Sequence, residues 1–366
     1  MTERALAELT PAQRSLVERF KSGQPLALSR VISLVENHRP GFESVLEALH
    51  AGVGAARRIG ITGPPGAGKS TLTAALARGF RDQGLTVGII AVDPSSPFTG
   101  GALLGDRVRM DDLATEPGIF IRSMASRGSH GGLAAATREA ADLMDAFGYD
   151  RILLETVGVG QSELEVASSA DTTMVVLVPE SGDGIQAMKA GLMEVADLFV
   201  VNKADRPGAD RLKKEIEVVL ALRAGRTTPR VTAHHGADLS AIRASRRTRA
   251  AGEPVTGVDS ERDDWEVPVL RCTASTGEGV AEVAGALDAH YEWLESTGRL
   301  AEKRREQAIE HARLVLERAT GRRAMSAWNR WLAGESARTE IGSRSPYAIS
   351  RSVYASLWPA EPGADD

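Results

Sequence analysis

The stretch Gly63-Pro-Pro-Gly66-Ala67-Gly68-Lys69-Ser70 constrains this chain more than any other. It satisfies the pattern G-x-x-x-x-G-K-[S/T] and is followed by Thr71. Arg58–Thr62 before it reads as a strand, and Thr71–Arg81 after it reads as a helix. In that setting the glycines let the backbone curl so that successive N–H groups face one anion, with a helix N-terminus behind them. Lys69 is then within reach of the β- and γ-phosphates of a nucleotide, and the Ser70 hydroxyl can coordinate Mg2+. The expected phosphate-binding set is Gly63, Gly66, Ala67, Gly68, Lys69, Ser70 and Thr71. A glycine-rich strand–helix turn without a ligand is the competing reading. Against it, only 7 of the 44 basic residues are lysines, so a lysine inside a motif stands out from an arginine background.

A loop of this kind belongs on an α/β scaffold, and the rest of the chain agrees. Short apolar runs at Thr86–Asp93, Ile119–Arg122, Arg151–Glu155, Thr173–Val178, Leu198–Asn202 and Val267–Cys272 alternate with helical stretches. Near-continuous Val/Ile/Leu strands separated by helices predict a mostly parallel, doubly wound sheet of about seven strands, covered on both faces. We expect this P-loop NTPase domain to occupy residues 56–290. Residues 1–55 read as an N-terminal helical segment, with Pro11 after Thr10 as a helix start and Leu26, Leu28, Val31, Ile32, Leu34 and Val35 near one face. Residues 291–366 read as a C-terminal helical arm that holds Trp293, Trp328 and Trp331. That much large apolar surface suits packing against the core or a second subunit. Arg226–Asp264 loses the pattern and reads as a polar excursion.

The base is indicated by Asn202-Lys203-Ala204-Asp205, an N-K-x-D sequence at the end of a predicted strand. Asp205 can accept hydrogen bonds from guanine N1–H and the 2-amino group. Adenine has neither donor and would leave the carboxylate unpaired. Lys203 can lie along the base, while Asn202 ties this loop to the phosphate loop. Ala274 and Ser275, just beyond the last strand, suit a loop whose backbone amides back the guanine O6. GTP and GDP are the expected ligands. Asp93 and Glu155 end their strands on the same rim of the sheet, the usual ligand crevice of such folds. Carboxylates there suit Mg2+ or the attacking water, with helix N-capping as the alternative role. Asp106, flanked by Arg107 and Arg109, lies after a glycine-rich stretch and is either part of a switch loop or of surface ion pairs. Gln161 is a further candidate for orienting water.

Composition excludes several other classes. Net charge is −5, which gives no electrostatic footprint for nucleic acid. A single cysteine, Cys272, excludes intrachain disulfides and cysteine metal clusters. No run reaches the ~20 apolar residues that a membrane span requires, and the N-terminus lacks a signal-peptide core. We expect a cytoplasmic protein with neither membrane nor nucleic-acid partners.

Five motifs in order carry a family resemblance: the phosphate loop, Val92-Asp-Pro-Ser-Ser, Leu104-Gly-Asp-Arg-Val-Arg-Met, Glu155-Thr-Val-Gly-Val-Gly-Gln and Asn202-Lys-Ala-Asp. Together they resemble the MeaB/ArgK GTPases, relatives of the human methylmalonic aciduria type A protein. Glu155 stands where most GTPases carry the aspartate of D-x-x-G. The resemblance implies a homodimer built through the C-terminal helices. It also implies a chaperone that gates adenosylcobalamin loading and protects methylmalonyl-CoA mutase or a related cobalamin-dependent mutase. It carries over Asp93, Asp106 and Glu155 as magnesium or water ligands beside Ser70, which with Lys69 form the catalytic set. Asp183 and Lys189 fall in what resembles the family's extra switch. Two other readings share this G-domain class or family name: a nickel-insertion metallochaperone GTPase and a kinase of a transport-system binding protein. The first needs Cys/His ligands, and the second needs an adenine site.

Overall fold

The computed structural model describes residues 9–94, 113, 115–126, 132–156, 168–179, 192–223, 265–334, 337 and 340–357. Seven strands form one sheet: β1 (Arg57–Thr62), β2 (Val87–Pro94), β3 (Ile119–Ser126), β4 (Arg151–Thr156), β5 (Thr172–Leu177), β6 (Leu198–Val201) and β7 (Val269–Arg271). Their order is β3-β2-β4-β1-β5-β6-β7, and every pairing between them is parallel. All seven predicted runs are therefore strands of the expected sheet, with ends shifted by a few residues.

Parallel pairing needs helical crossovers, and these cover both faces. Side chains alternate along each strand. Leu153 of β4, Met174 and Val176 of β5, and Leu198 and Val200 of β6 enter one core. That core is closed by α4 (Lys69–Asp82) and α8 (Val280–Ser296). The opposite face is divided. Ile90, Val92, Ile152 and Leu154 pack under α5 (Gly132–Phe147) and three N-terminal helices, α1 (Pro11–Lys21), α2 (Pro25–Glu36) and α3 (Phe42–Leu49). Val175, Leu177, Phe199 and Val201 pack under α7 (Ala209–Arg223), with Met193 of the short α6 (Leu192–Val195).

The N-terminal helices thus complete the sheet's covering layer. Thr10 caps α1 through Gln13 in a reciprocal capping box, with Pro11 in the first turn. Leu28, Val31, Ile32 and Val35 of α2 are buried, whereas Leu26 is 57% exposed and lies off that face.

Beyond the sheet, α9 (Arg299–Leu332) runs for 34 residues, about 50 Å at 1.5 Å per residue. Trp328 and Trp331 stack on each other and pack with Ala327 against Val353 and Leu357, in and just beyond α10 (Pro346–Ala355). Trp293 meets Trp265 and His290 instead. Trp293, Trp328 and Trp331 are therefore each packed, half-buried, against other parts of the chain itself. No helix among the described residues is long and apolar enough to cross a membrane.

Candidate nucleotide site

β1 delivers the phosphate loop to the carboxyl edge of the sheet, and the loop's glycines answer to specific neighbours. Gly63 has φ 137, and a Cβ there would lie 2.1 Å from the Val176 carbonyl oxygen on β5. Gly68, at φ 83, precedes the first turn of α4, and a Cβ there would lie 2.4 Å from Asn202 Nδ2. Only glycine admits both the left-handed backbone and these close approaches. Lys69 is buried and folds back over the loop, its Nζ donating to the carbonyls of Gly63 (2.7 Å) and Pro64 (3.1 Å). Thr71, two residues on, is exposed.

The neighbouring strands bring acids to the same edge. Parallel register sets Glu155 of β4 opposite Ile61 of β1 and Ala91 of β2. Glu155 is buried, and the Ser70 hydroxyl donates to its Oε1 at 2.5 Å. Ser70 is at the start of α4 and Glu155 near the end of β4, 85 residues apart in sequence. Asp93 is the last residue but one of β2, opposite Ala125 of β3. One residue beyond Glu155, the Thr156 hydroxyl donates to Thr62 Oγ1 at 3.3 Å, both fully buried. This pair, which ties β4 to β1 just before the loop, was not singled out in the sequence. A threonine ending an apolar strand carries no chemical signal of its own.

On the base side, Asn202 follows β6 and joins three segments. Its backbone N–H donates to Leu177 O (2.8 Å), and its Nδ2 donates to Ala67 O of the phosphate loop (2.8 Å). Its Oδ1 accepts from the Ala274 N–H at 3.1 Å. Ala204 N–H donates to Cys272 O, and Cys272 N–H to Val201 O, each at 3.0 Å. Lys203 bends the chain at φ 55, an uncommon value for a residue with a side chain, and Asp205 and Ser275 are exposed beyond it. Burial pushes the Cys272 thiol up to about 12, so it stays neutral in this cluster.

The structure therefore brings Gly63–Thr71, Glu155, the end of β2 and the Asn202 and Ala274 loops to one edge. Asp106, Asp183, Lys189, Gln161, Arg107 and Arg109 lie outside the described residues, as does the whole of Arg226–Asp264. An anion-facing loop with a lysine beside a hydroxyl–carboxylate pair can bind phosphate and a hard cation. An oxygen donor pair of this kind fits Mg2+ rather than a softer ion.

Comparison with known proteins agrees with this arrangement. Residues 28–328 match the family model described as methylmalonyl Co-A mutase-associated GTPase MeaB. A GTPase of Pyrococcus horikoshii is 44% identical over 301 residues, covering 82% of this chain and 84% of that protein. GTPase ArgK of Escherichia coli is 37% identical over 305 residues, covering 82% of each. The mouse mitochondrial methylmalonic aciduria type A homolog is 32% identical over 317 residues, covering 82% of this chain and 69% of that protein. Among solved structures, one described as an LAO/AO transport system kinase superposes with a TM-score of 0.63 at 27% identity, covering 95% of this chain and 99% of that chain.

Proposed function

The chain belongs to the MeaB family of GTPases, and from that premise we propose that its GTP cycle serves a cobalamin-dependent mutase. It binds guanine nucleotide and hydrolyses GTP, as a member of that family. The finer reading is a chaperone that gates adenosylcobalamin loading and protects methylmalonyl-CoA mutase or a related enzyme. Support comes from the family description and from the relative described as a methylmalonic aciduria type A homolog.

The observation that carries the catalytic reading is the 2.5 Å contact between Ser70 and Glu155. It holds a hydroxyl and a carboxylate together beside the phosphate loop, the donor set for Mg2+, with Asp93 and Asp106 as further ligands. When bound, the cation offsets charge on the phosphoryl oxygens. Lys69 exchanges its two loop carbonyls for phosphate oxygens, and the N–H groups from Gly66 to Thr71 complete the cradle. Glu155, Asp93 or Asp106 holds the attacking water. Asp205 reads guanine, with Asn202 keeping its loop against Ala67. Asp183 and Lys189 relay the nucleotide state to the mutase.

The same reading gives a homodimer through residues 291–366. Ile309, Met325 and Leu332 are exposed along α9, and Tyr347 and Tyr354 are exposed on α10. A cytoplasmic location completes it.

The test is GTP turnover by the purified protein with and without methylmalonyl-CoA mutase. We expect mutase to change the rate, GTP to be hydrolysed far faster than ATP, and Lys69→Ala to lower turnover by about 10²–10³. Equal ATP and GTP turnover, with no response to mutase, sinks the proposal.

A further inference from the structure

A buried polar pair joins the strand that carries the phosphate loop to the strand that carries Glu155. The Thr156 hydroxyl is 3.3 Å from Thr62 Oγ1, and both residues are 0% exposed. Thr62 is the last residue of β1, directly before Gly63, and Thr156 is the last of β4, directly after Glu155. Each keeps a backbone rung on its outer side, Thr62 with Val175 of β5 and Thr156 with Val92 of β2. Between them the paired register of β1 and β4 ends one step earlier, at Ile61 and Glu155. The hydroxyl bond therefore extends the tie by one residue, where β1 leaves the sheet for the loop.

Side chains alternate across a strand, so Glu155 and Thr156 point to opposite faces. Glu155 reaches Ser70 on the α4 side, whereas Thr156 follows Ile152 and Leu154 on the other. Thr156 is thus turned away from any cation that Ser70 and Glu155 hold. What it sets is the distance between the two strand ends. Its oxygen contact is shorter than the roughly 3.5–4.0 Å at which methyl groups meet, so an apolar pair would spread these ends by up to about half an ångström. A binding constellation must be held to about that tolerance. The Ser70–Glu155 contact beside it is made by the two residues that serve as cation ligands. The threonine bond is independent of that exchange, being sealed from solvent on both sides.

We propose that Thr156 is a positioning residue for GTP hydrolysis, acting through its bond to Thr62. It holds Glu155 at the spacing from the phosphate loop that lets Ser70 and Glu155 share one divalent cation. This role presupposes that Glu155 is a cation ligand.

Three measurements on the full chain test it: GTP turnover with Mg2+, Mn2+ affinity of the GDP-bound protein by electron paramagnetic resonance, and urea unfolding. A misplacement of 1 Å can cost about 10²-fold, so half of that predicts a roughly tenfold fall in kcat for Thr156→Val. Mn2+ affinity should fall by about the same factor, with KM for GTP hardly changed. Thr156→Ser, which keeps the hydroxyl, should restore both. Thr156→Val also destabilises the fold by leaving the Thr62 hydroxyl buried without its partner. The double variant Thr62→Val/Thr156→Val removes that penalty, since replacing both partners by apolar groups of the same shape is nearly neutral. Its unfolding midpoint should return toward that of the parent while kcat and Mn2+ affinity stay low. Recovery of kcat and Mn2+ affinity together with stability in the double variant would make the pair structural only and overturns the proposal. So does a parental kcat in Thr156→Val, or a Thr156→Ser variant no better than Thr156→Val. Glu155→Gln separates the two readings. Parental Mn2+ affinity in that variant refutes the cation site itself. Weakened Mn2+ binding there, with parental values in Thr156→Val, refutes only the role of the threonine.

Discussion

Charged groups at the two ends of this sheet are handled differently. At the amino ends of the strands, acids are engaged from several sides. Asp171 accepts from Arg304 and from the Arg58 N–H, and Asp145 from Arg58 and the N–H groups of Gly54, Ala55 and Ala56. Asp288 of α8 takes both Arg57 and Arg151, the first residues of β1 and β4. Burial opposes the Arg304 charge, yet Asp171 holds its pKa above the usual value. At the carboxyl ends, Lys69 leans on two loop carbonyls, Ser70 on Glu155, and Asp205 faces solvent. One end matches charge to charge and fastens helices to the sheet. The other holds its polar groups on partners that a ligand can replace.

This contrast can be broken by substitutions that should separate stability from ligand binding. The largest effect is expected at the amino end. Asp171→Ala leaves the Arg304 guanidinium without its carboxylate and should cost about 3–5 kcal/mol in urea unfolding. GTP affinity of the folded fraction should stay near that of the parent chain. A loss of GTP affinity at unchanged stability would reverse the assignment of the two ends.

At the carboxyl end the opposite outcome is expected. Asp205→Ala should weaken GTP by roughly tenfold to a hundredfold, from charged hydrogen bonds worth about 1.5–3 kcal/mol. Its unfolding midpoint should hardly move, since Asp205 is exposed. A melting shift comparable to that of Asp171→Ala would show that the guanine loop is structural.

The smallest effect concerns His290 of α8, buried with Nδ1 2.8 Å from Thr172 Oγ1 and Nε2 3.4 Å from Asp197. Burial lowers its pKa below 6.5, outweighing the attraction of Asp197. The unfolded chain then binds a proton there more readily than the folded one. Its contribution to stability is therefore present above the unfolded value and is lost as pH falls below it. Unfolding measured between pH 7.5 and 5 should show less acid sensitivity in His290→Gln than in the parent. Identical slopes would assign the acid lability to other groups.

Much of the carboxyl edge was legible in the sequence because its requirements are local. A strand, a glycine loop and a helix start fall within Arg57–Asp82, and Asn202 announces itself within four residues. The amino edge was not legible. Arg58 and Arg151 read as strand residues, and their partners stand 87 and 137 residues away at Asp145 and Asp288. Asp171 and Arg304, 133 residues apart, carry no motif. Leu26 looked like part of the apolar face of α2, but a helical period tolerates one extra position that packing then leaves outside. The arm tryptophans advertised buried surface without saying what buries them. For Trp328 and Trp331 the answer is a helix that begins at Pro346.

The sequence alone determined the α/β class, the strand count and the nucleotide chemistry, since these follow from residue spacing within single elements and from functional groups that only one ligand class satisfies. Tertiary structure alone decided the strand order and the Ser70–Glu155 contact, both of which depend on parallel register, and it set the expected tie of Asn202 to the phosphate loop on the Ala67 carbonyl. It also decided how α9 closes the amino edge. Long-range ion pairing depends on which side chains packing brings together, and spacing along the chain does not encode it.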